Sequence, residues 1–361
     1  MIHPFRRHLW LAGSVVSISL LGACAPEEEG LENAQAPETH TVGQELSAGT
    51  ELRNLEVSLS ADQSAFGAAE SALVKVTLRN TRSKSVKLLK WFTPADGLEE
   101  SLFVVARDGK ALAFEGPHYK RPAVTAEDYL TLAPGESQTW TVDLSEGYDL
   151  SKTGDYSLRF AVGPLSSNSL KLSIEGRASA NRQPSEPIST TSTVSFTNCD
   201  ATQQPLALQA VSNASLYANG ASTYLNGTPS ATPRYTTWFG TYSSSGWSTA
   251  QSHFAAIKDA FDTKPITIDC GCRKKYYAYV YPNQPYKIYV CSVFWQAPAT
   301  GTDSKAGTLI HEMSHFTVTS GTDDWAYGQT NAKALAISDP TKALDNADSH
   351  EYFAENTPAQ Q

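Results

Sequence analysis

Ser304-Lys305-Ala306-Gly307-Thr308-Leu309-Ile310-His311-Glu312-Met313-Ser314-His315-Phe316-Thr317 reads as a helix, with Ala306, Leu309 and Ile310 giving it a buried apolar side. His311 and His315 stand four residues apart, one helical turn, so both imidazoles can face a single metal ion. Glu312 follows the first histidine and can reach a water polarised by that metal without being a ligand itself. Upstream, 206–224 and 247–261 have helical spacing, the latter through Phe254, Ile257 and Phe261. Segments 266–268, 276–281 and 287–294 are rich in Tyr, Val and Ile and read as strands. Helix, sheet and helix in this order predict a compact α+β domain over residues 194–361.

The remaining half has another texture. With 361 residues, the chain exceeds what one core usually organises, so two folded units are expected. A hydrophobic content of 40% with 18% charged residues excludes collagen, coiled coil and wholesale disorder. A net charge of -9 lacks the footprint of a nucleic-acid binder. Residues 1–24 read as an export signal: Arg6 and Arg7 precede an apolar run, 9–21, shorter than the roughly 20 residues of a bilayer span. Leu21-Gly22-Ala23-Cys24 resembles a bacterial lipobox, which would make Cys24 a lipidation site and the precursor's only membrane attachment; an ordinary signal peptide is the other reading. Residues 25–50 read as a tether. From 51 to 175, apolar alternation (Leu55, Val57, Leu59; Val74, Val76, Leu78) and the Asp108-Gly109 hairpin signal suggest about seven short strands and an immunoglobulin-like β-sandwich. His118 stands alone there and reads as a surface residue. Residues 176–193 lose all periodicity and read as a cleavable linker. This layout is that of a secreted zymogen whose sandwich is a pro-domain acting as intramolecular inhibitor or chaperone. A permanent two-domain protein has the same layout.

Cys199, Cys270, Cys272 and Cys291 all lie in the second half, an even number that implies two disulfides in an exported domain. The one-residue gap in Cys270-Gly271-Cys272 is too short to bridge, so one reaches Cys199 and the other Cys291. A catalytic zinc needs a third protein ligand. Val318 and Gly321 stand where the long metzincin signature would require glycine and histidine, so that option fails. Gly321-Thr322-Asp323-Asp324-Trp325-Ala326-Tyr327-Gly328 instead resembles the GTxDxxYG element of the aspzincin (deuterolysin) zinc metalloproteases. The resemblance implies a zincin-like domain holding one zinc ion, with His311, His315 and Asp324 as ligands. It also implies Tyr327 as the tyrosine that stabilises the oxyanion, and bridges Cys199–Cys270 and Cys272–Cys291.

Within that family the sequence is most similar to the peptidyl-Lys metalloendopeptidases, which cut on the amino side of lysine. Asn346-Ala347-Asp348-Ser349-His350-Glu351-Tyr352 carries this, and the resemblance implies that Asp348 and Glu351 form the lysine pocket. Three residues apart on a helix, they share a face and could grip one ammonium; a solvated helix face is the structural alternative. A rival ligand scheme puts Asp348 in place of Asp324. The expected activity is peptide-bond hydrolysis with Glu312 as general base and protein or peptide substrates. The alternatives are a general deuterolysin-like protease without lysine preference, and a lipid-anchored binding protein with a non-catalytic second domain.

Overall fold

A computed structural model describes residues 55–177 and 193–361. The expected signal segment with Cys24, the tether 25–50 and residues 178–192 of the expected linker lie outside them.

The first unit is all-β. Alternation turns Leu55, Val57 and Leu59 of β1 (Leu55–Ser60) inward, and Val74, Val76 and Leu78 of β3 (Leu73–Asn80) likewise. β1 and β9 (Ser137–Asp143) flank β3 in one antiparallel sheet. The other sheet runs β2 (Ala65–Phe66), β12 (Leu170–Ile174), β10 (Gly154–Val162), β5 (Phe103–Arg107) and β6 (Lys110–Leu112). β11 (Leu165–Ser166) folds back on β10, and β4 (Val86–Leu89) pairs with β8 (Tyr129–Leu132). Both sheets bury their inner faces in one core, where Val76 and Leu78 join Phe103, Val105, Leu158 and Phe160. The Asp108-Gly109 turn joins β5 to β6 with φ of 49° and 77°, the left-handed pair that a two-residue hairpin requires. Among the strands beyond the seven expected, β2 and β11 are two residues each, too short to show alternation.

The second unit is α+β. Helix α1 (Gln203–Leu225) turns Ala207, Ala210, Ala214, Ala218 and Ala221 inward, small side chains that let neighbouring helices approach closely. It packs on α3 (Ser244–Thr263), α4 (Lys305–His315) and α7 (Ala347–Glu355). Three shorter helices complete the unit: α2 (Pro233–Phe239), α5 (Gln329–Ser338) and α6 (Pro340–Leu344). α5 buries only Ala332 and Ala336, too little apolar surface to betray a helix in the sequence. β14 (Ile266–Asp269), β15 (Ala278–Val280) and β16 (Lys287–Val290) form the sheet, the last two shorter than their Tyr-rich sequences suggested. β13 (Val194–Thr197), next to the expected linker, pairs in parallel with β14. Disulfides Cys199–Cys270 and Cys272–Cys291 tie this sheet to the chain on either side.

One element departs from the two-unit reading. β7 (His118–Lys120) leaves the first unit and becomes the edge strand of the second unit's sheet, whose order is β13-β14-β16-β15-β7. It lies antiparallel to β15, with Lys120 opposite Ala278, Tyr119 opposite Tyr279 and His118 opposite Val280. His118 is therefore no surface residue of an isolated sandwich. A three-residue strand whose partner lies far downstream has no local periodicity to reveal it. No helix of the described residues is long and apolar enough to cross a membrane.

Candidate active site

Helix α4 starts at Ser304, whose hydroxyl accepts from the Gly307 N–H at 2.9 Å, and all its residues are buried. Glu355 at the end of α7 backs this cap by accepting from the Ser304 N–H at 2.9 Å and hydroxyl at 2.8 Å. Gly307 is needed where the two helices meet: a Cβ there would fall 2.0 Å from Glu355 Oε1 and 3.0 Å from Glu351 Oε1.

His311 Nδ1–H donates to Asp348 Oδ1 at 2.7 Å, and His315 Nδ1–H donates to the Thr322 carbonyl at 2.6 Å. These bonds fix both tautomers and leave each Nε2 an acceptor. The two Nε2 atoms are 3.2 Å apart, and Asp324 Oδ1 is 3.2 Å from one and 3.4 Å from the other. That oxygen is buried without a hydrogen-bond partner among the described residues. Three acceptors turned on one another are unfavourable unless a cation lies between them. Their spacing matches a tetrahedral zinc site, whose ligands at about 2.0–2.1 Å from the ion stand about 3.3 Å apart. Burial would lower the pKa of His311, but Asp324 and Asp348 outweigh it and raise it to about 9, so the site's own charges favour positive charge there.

The loop that carries Asp324 is clamped at both ends. Thr322 N–H donates to the Ser314 carbonyl at 3.1 Å, Asp323 N–H to the Asp345 carbonyl at 2.8 Å, and Ala326 N–H to Asn346 Oδ1 at 2.8 Å. Glu312, beside the ligand cluster in sequence, is fully buried, and neither carboxylate oxygen has a hydrogen-bond partner among the described residues. Burial, above all, pushes its carboxyl up to about 7. The Tyr327 hydroxyl donates to the Tyr119 carbonyl at 2.8 Å and accepts from Arg121 at 3.2 Å.

Asp348 and Glu351 lie on the buried side of α7, and a lysine already stands between them. Lys120 Nζ is 3.2 Å from Asp348 Oδ1 and 2.5 Å from Glu351 Oε2, with Asp303 Oδ1 at 3.8 Å. The rings of Tyr277 and Tyr352 face the ammonium at 5.3 and 5.7 Å. Burial alone would lower its pKa, but Asp348, Glu351 and Asp303 hold it well above the ordinary lysine value. Asp348 also accepts the Gly328 N–H at 2.6 Å, a backbone position at φ 79° that favours glycine.

The seven residues singled out in the sequence (His311, Glu312, His315, Asp324, Tyr327, Asp348 and Glu351) are thus brought together around His311. Asp324 faces both Nε2 atoms, whereas Asp348 lies on the Nδ1 side of His311. The sequence did not disclose Asp303, the orienting acceptors of the two imidazoles, or the contributions of His118, Lys120 and Arg121. These last come from the half in which no catalytic constellation was found. His118 lies with its ring centroid 4.9 Å from that of His315, and ligand atoms of His118, His315 and Asp324 fall within 4.8 Å of one another. Those of His311, Asp348 and Glu351 do so too, around the Lys120 ammonium. His350, unassigned from sequence, is buried and meets the half-buried His253 at 2.9 Å.

Residues 224–355 match a family described as "Lysine-specific metallo-endopeptidase", the aspzincins. An extracellular protease of Aeromonas hydrophila is 45% identical over 81% of this chain and 90% of its own. A peptidyl-Lys metalloendopeptidase of Grifola frondosa is 37% identical over 80% of this chain and 88% of its own. The solved zinc peptidase from Grifola frondosa is 50% identical, covers 45% of this chain and all of its own, and superposes with a TM-score of 0.44.

Proposed function

The chain belongs to the aspzincin family of zinc metalloendopeptidases, and on that premise we propose that it hydrolyses proteins on the amino side of lysine. Its cofactor is zinc, and we assign His311, His315 and Asp324 as the protein ligands. When bound, zinc acidifies a water molecule and polarises the peptide carbonyl. Glu312 takes the proton of the attacking water and returns it to the leaving amine, a task suited to a carboxyl held near neutrality. Tyr327 donates to the carbonyl oxygen as charge develops there, a contribution of about 3 kcal/mol for donors of this kind. Asp348 and Glu351 hold the substrate's lysine ammonium; the planar fork of arginine has another shape and fits a site for a compact ammonium less well.

The observation that carries this reading is the buried carboxylate pair around a lysine ammonium, one residue beyond a carbonyl that accepts from Tyr327. We read residues 1–24 as an export signal with Cys24 as a lipidation site, 51–175 as an immunoglobulin-like prosegment, and 176–193 as the linker that carries the activation cleavage of a secreted enzyme. A digest of one denatured protein tests the specificity. New amino termini should begin with lysine; termini without that preference would leave a general deuterolysin-like protease.

A further inference from the structure

We propose that Asp303 is a third, specificity-determining carboxylate of the lysine pocket, placed at its solvent-facing mouth to draw in the substrate ammonium that Asp348 and Glu351 then hold. The inference rests on the lysine-specific reading above and adds a residue to that site.

An ammonium carries three N–H donors. Around the lysine ammonium seated in this pocket, Asp348 Oδ1 and Glu351 Oε2 stand within hydrogen-bond distance at 3.2 and 2.5 Å. Asp303 Oδ1, at 3.8 Å, is the next carboxylate oxygen within reach of an ion pair. Asp348 is shared with other donors, since its Oδ1 also accepts the His311 Nδ1–H and its Oδ2 the Gly328 N–H. The three acids differ in exposure. The side chains of Asp348 and Glu351 are 1% and 0% exposed, whereas that of Asp303 is 43% exposed. Asp303 also lines a cavity of about 600 Å³ together with Tyr277, Asp348 and Tyr352. Negative charge therefore runs from the cavity to the buried floor, an arrangement that concentrates cations at the entrance.

Asp303 is held in place at both its backbone and its carboxylate. Its N–H donates to Glu355 Oε2 at 3.2 Å, and the following residue, Ser304, caps the helix that bears His311. The Tyr352 hydroxyl donates to Asp303 Oδ1 at 2.6 Å while the Tyr352 ring faces the ammonium at 5.7 Å, so one side chain steadies the acid and lines the path of the cation. Tyr352 follows Glu351 directly on α7, which ties Asp303 to the helix carrying the other two carboxylates. The backbone at Asp303 is left-handed, with φ of 51°. Asparagine or glycine suits that conformation as well as aspartate does, so the backbone alone does not call for an acid. Three carboxylates gathered at one site repel one another unless a cation stands among them.

The test uses the zinc-loaded enzyme, produced as the full chain and then cut within 176–193, on two peptides that differ only in lysine or norleucine after the cut. Asp303→Asn keeps the shape, the left-handed backbone and an acceptor for Tyr352 while removing the charge. It should lower the lysine-to-norleucine ratio of kcat/KM by about three- to tenfold, between the values for an exposed ion pair and a buried charge-assisted bond. The loss should appear in KM for the lysine peptide. It should shrink below about twofold in 0.5 M sodium chloride, because screening reaches a partly exposed charge far better than a buried one. Asp303→Gly, at ease at the same φ, should give the same fall in ratio and keeps the test open if the first variant folds poorly. An unchanged ratio, a deficit that salt leaves intact, or an equal loss on both peptides, the mark of a residue that only braces Tyr352, would overturn the inference. A parent enzyme that does not distinguish lysine from norleucine would instead sink the functional reading beneath it.

Discussion

Replacing Asp348 with alanine separates two functions that meet on one carboxylate. Its Oδ1 accepts the His311 Nδ1–H at 2.7 Å and lies 3.2 Å from a lysine ammonium. Loss of the first contact frees the ring of the proposed zinc ligand to rotate, and orienting partners of this kind are worth 10–100-fold in metal affinity, or about 1.4–2.7 kcal/mol. Loss of the second removes one hydrogen bond to a charged group, about 1.5–3 kcal/mol, so kcat/KM for lysine substrates should fall by roughly 10–150-fold even at saturating zinc. Competition with a chromophoric chelator reads the first effect. Hydrolysis of peptides differing only in lysine or norleucine, by enzyme freed of its N-terminal unit, reads the second. Glu351→Gln is the control: its nearest carboxylate oxygen is 3.6 Å from His311 Nδ1, so it should lose lysine preference while zinc affinity stays within about threefold. If Asp348→Ala binds zinc as tightly as the parent, Asp348 is a pocket residue and nothing more. If its lysine-to-norleucine ratio is unchanged, the pocket lies elsewhere.

Glu312→Gln should retain zinc by elemental analysis and lose about 10²–10⁴-fold in kcat; activity within tenfold of wild type would remove it as the base. Gly307→Ala pushes a methyl group into Glu355 and Glu351 and should cost roughly 1–3 kcal/mol in urea unfolding while weakening lysine preference; an unaffected protein would show that the two helices have slack. The His253–His350 pair is held neutral by burial, with pKa values lowered to about 4 and about 3. The unfolded chain therefore takes up protons first, so the pair's contribution is complete above pH 6.5 and is lost as pH falls towards those values. For His253 a drop from 6.5 to about 4 is worth roughly 3 kcal/mol. His253→Gln should flatten the pH dependence of the urea midpoint between 6.5 and 4, and a slope equal to the parent's would refute the assignment.

How much of this was legible in the sequence depended on the distance over which each feature is specified. The helix bearing His311 and His315 showed itself because ligands and apolar face repeat within one turn. Asp324 and Tyr327 follow within twelve residues of His315 on a loop whose residue types are distinctive. Asp348 and Glu351 were visible as a pair, but not the bond from Asp348 to His311, because nothing local distinguishes a carboxylate that orients an imidazole from one that binds an ammonium. The short helix Pro340–Leu344 and the strand Val194–Thr197 were missed since five and four residues carry too little periodicity to read.

The N-terminal contribution was invisible for a stronger reason. His118, Tyr119, Lys120 and Arg121 acquire meaning only from partners in the other half: the Lys120 ammonium meets Asp348 and Glu351 across separations of 228 and 231 residues. Taken alone, a lysine in a short polar segment belongs on the surface, and full burial of its charge is exceptional unless paired. Here the side chain is only 2% exposed. The opposite charges waiting in the second unit reverse the expectation, and they do so in the pocket assigned to substrate lysine. A charged residue buried this deeply at a junction between two units is thus explained by the carboxylates of Asp348, Glu351 and Asp303 that meet it there.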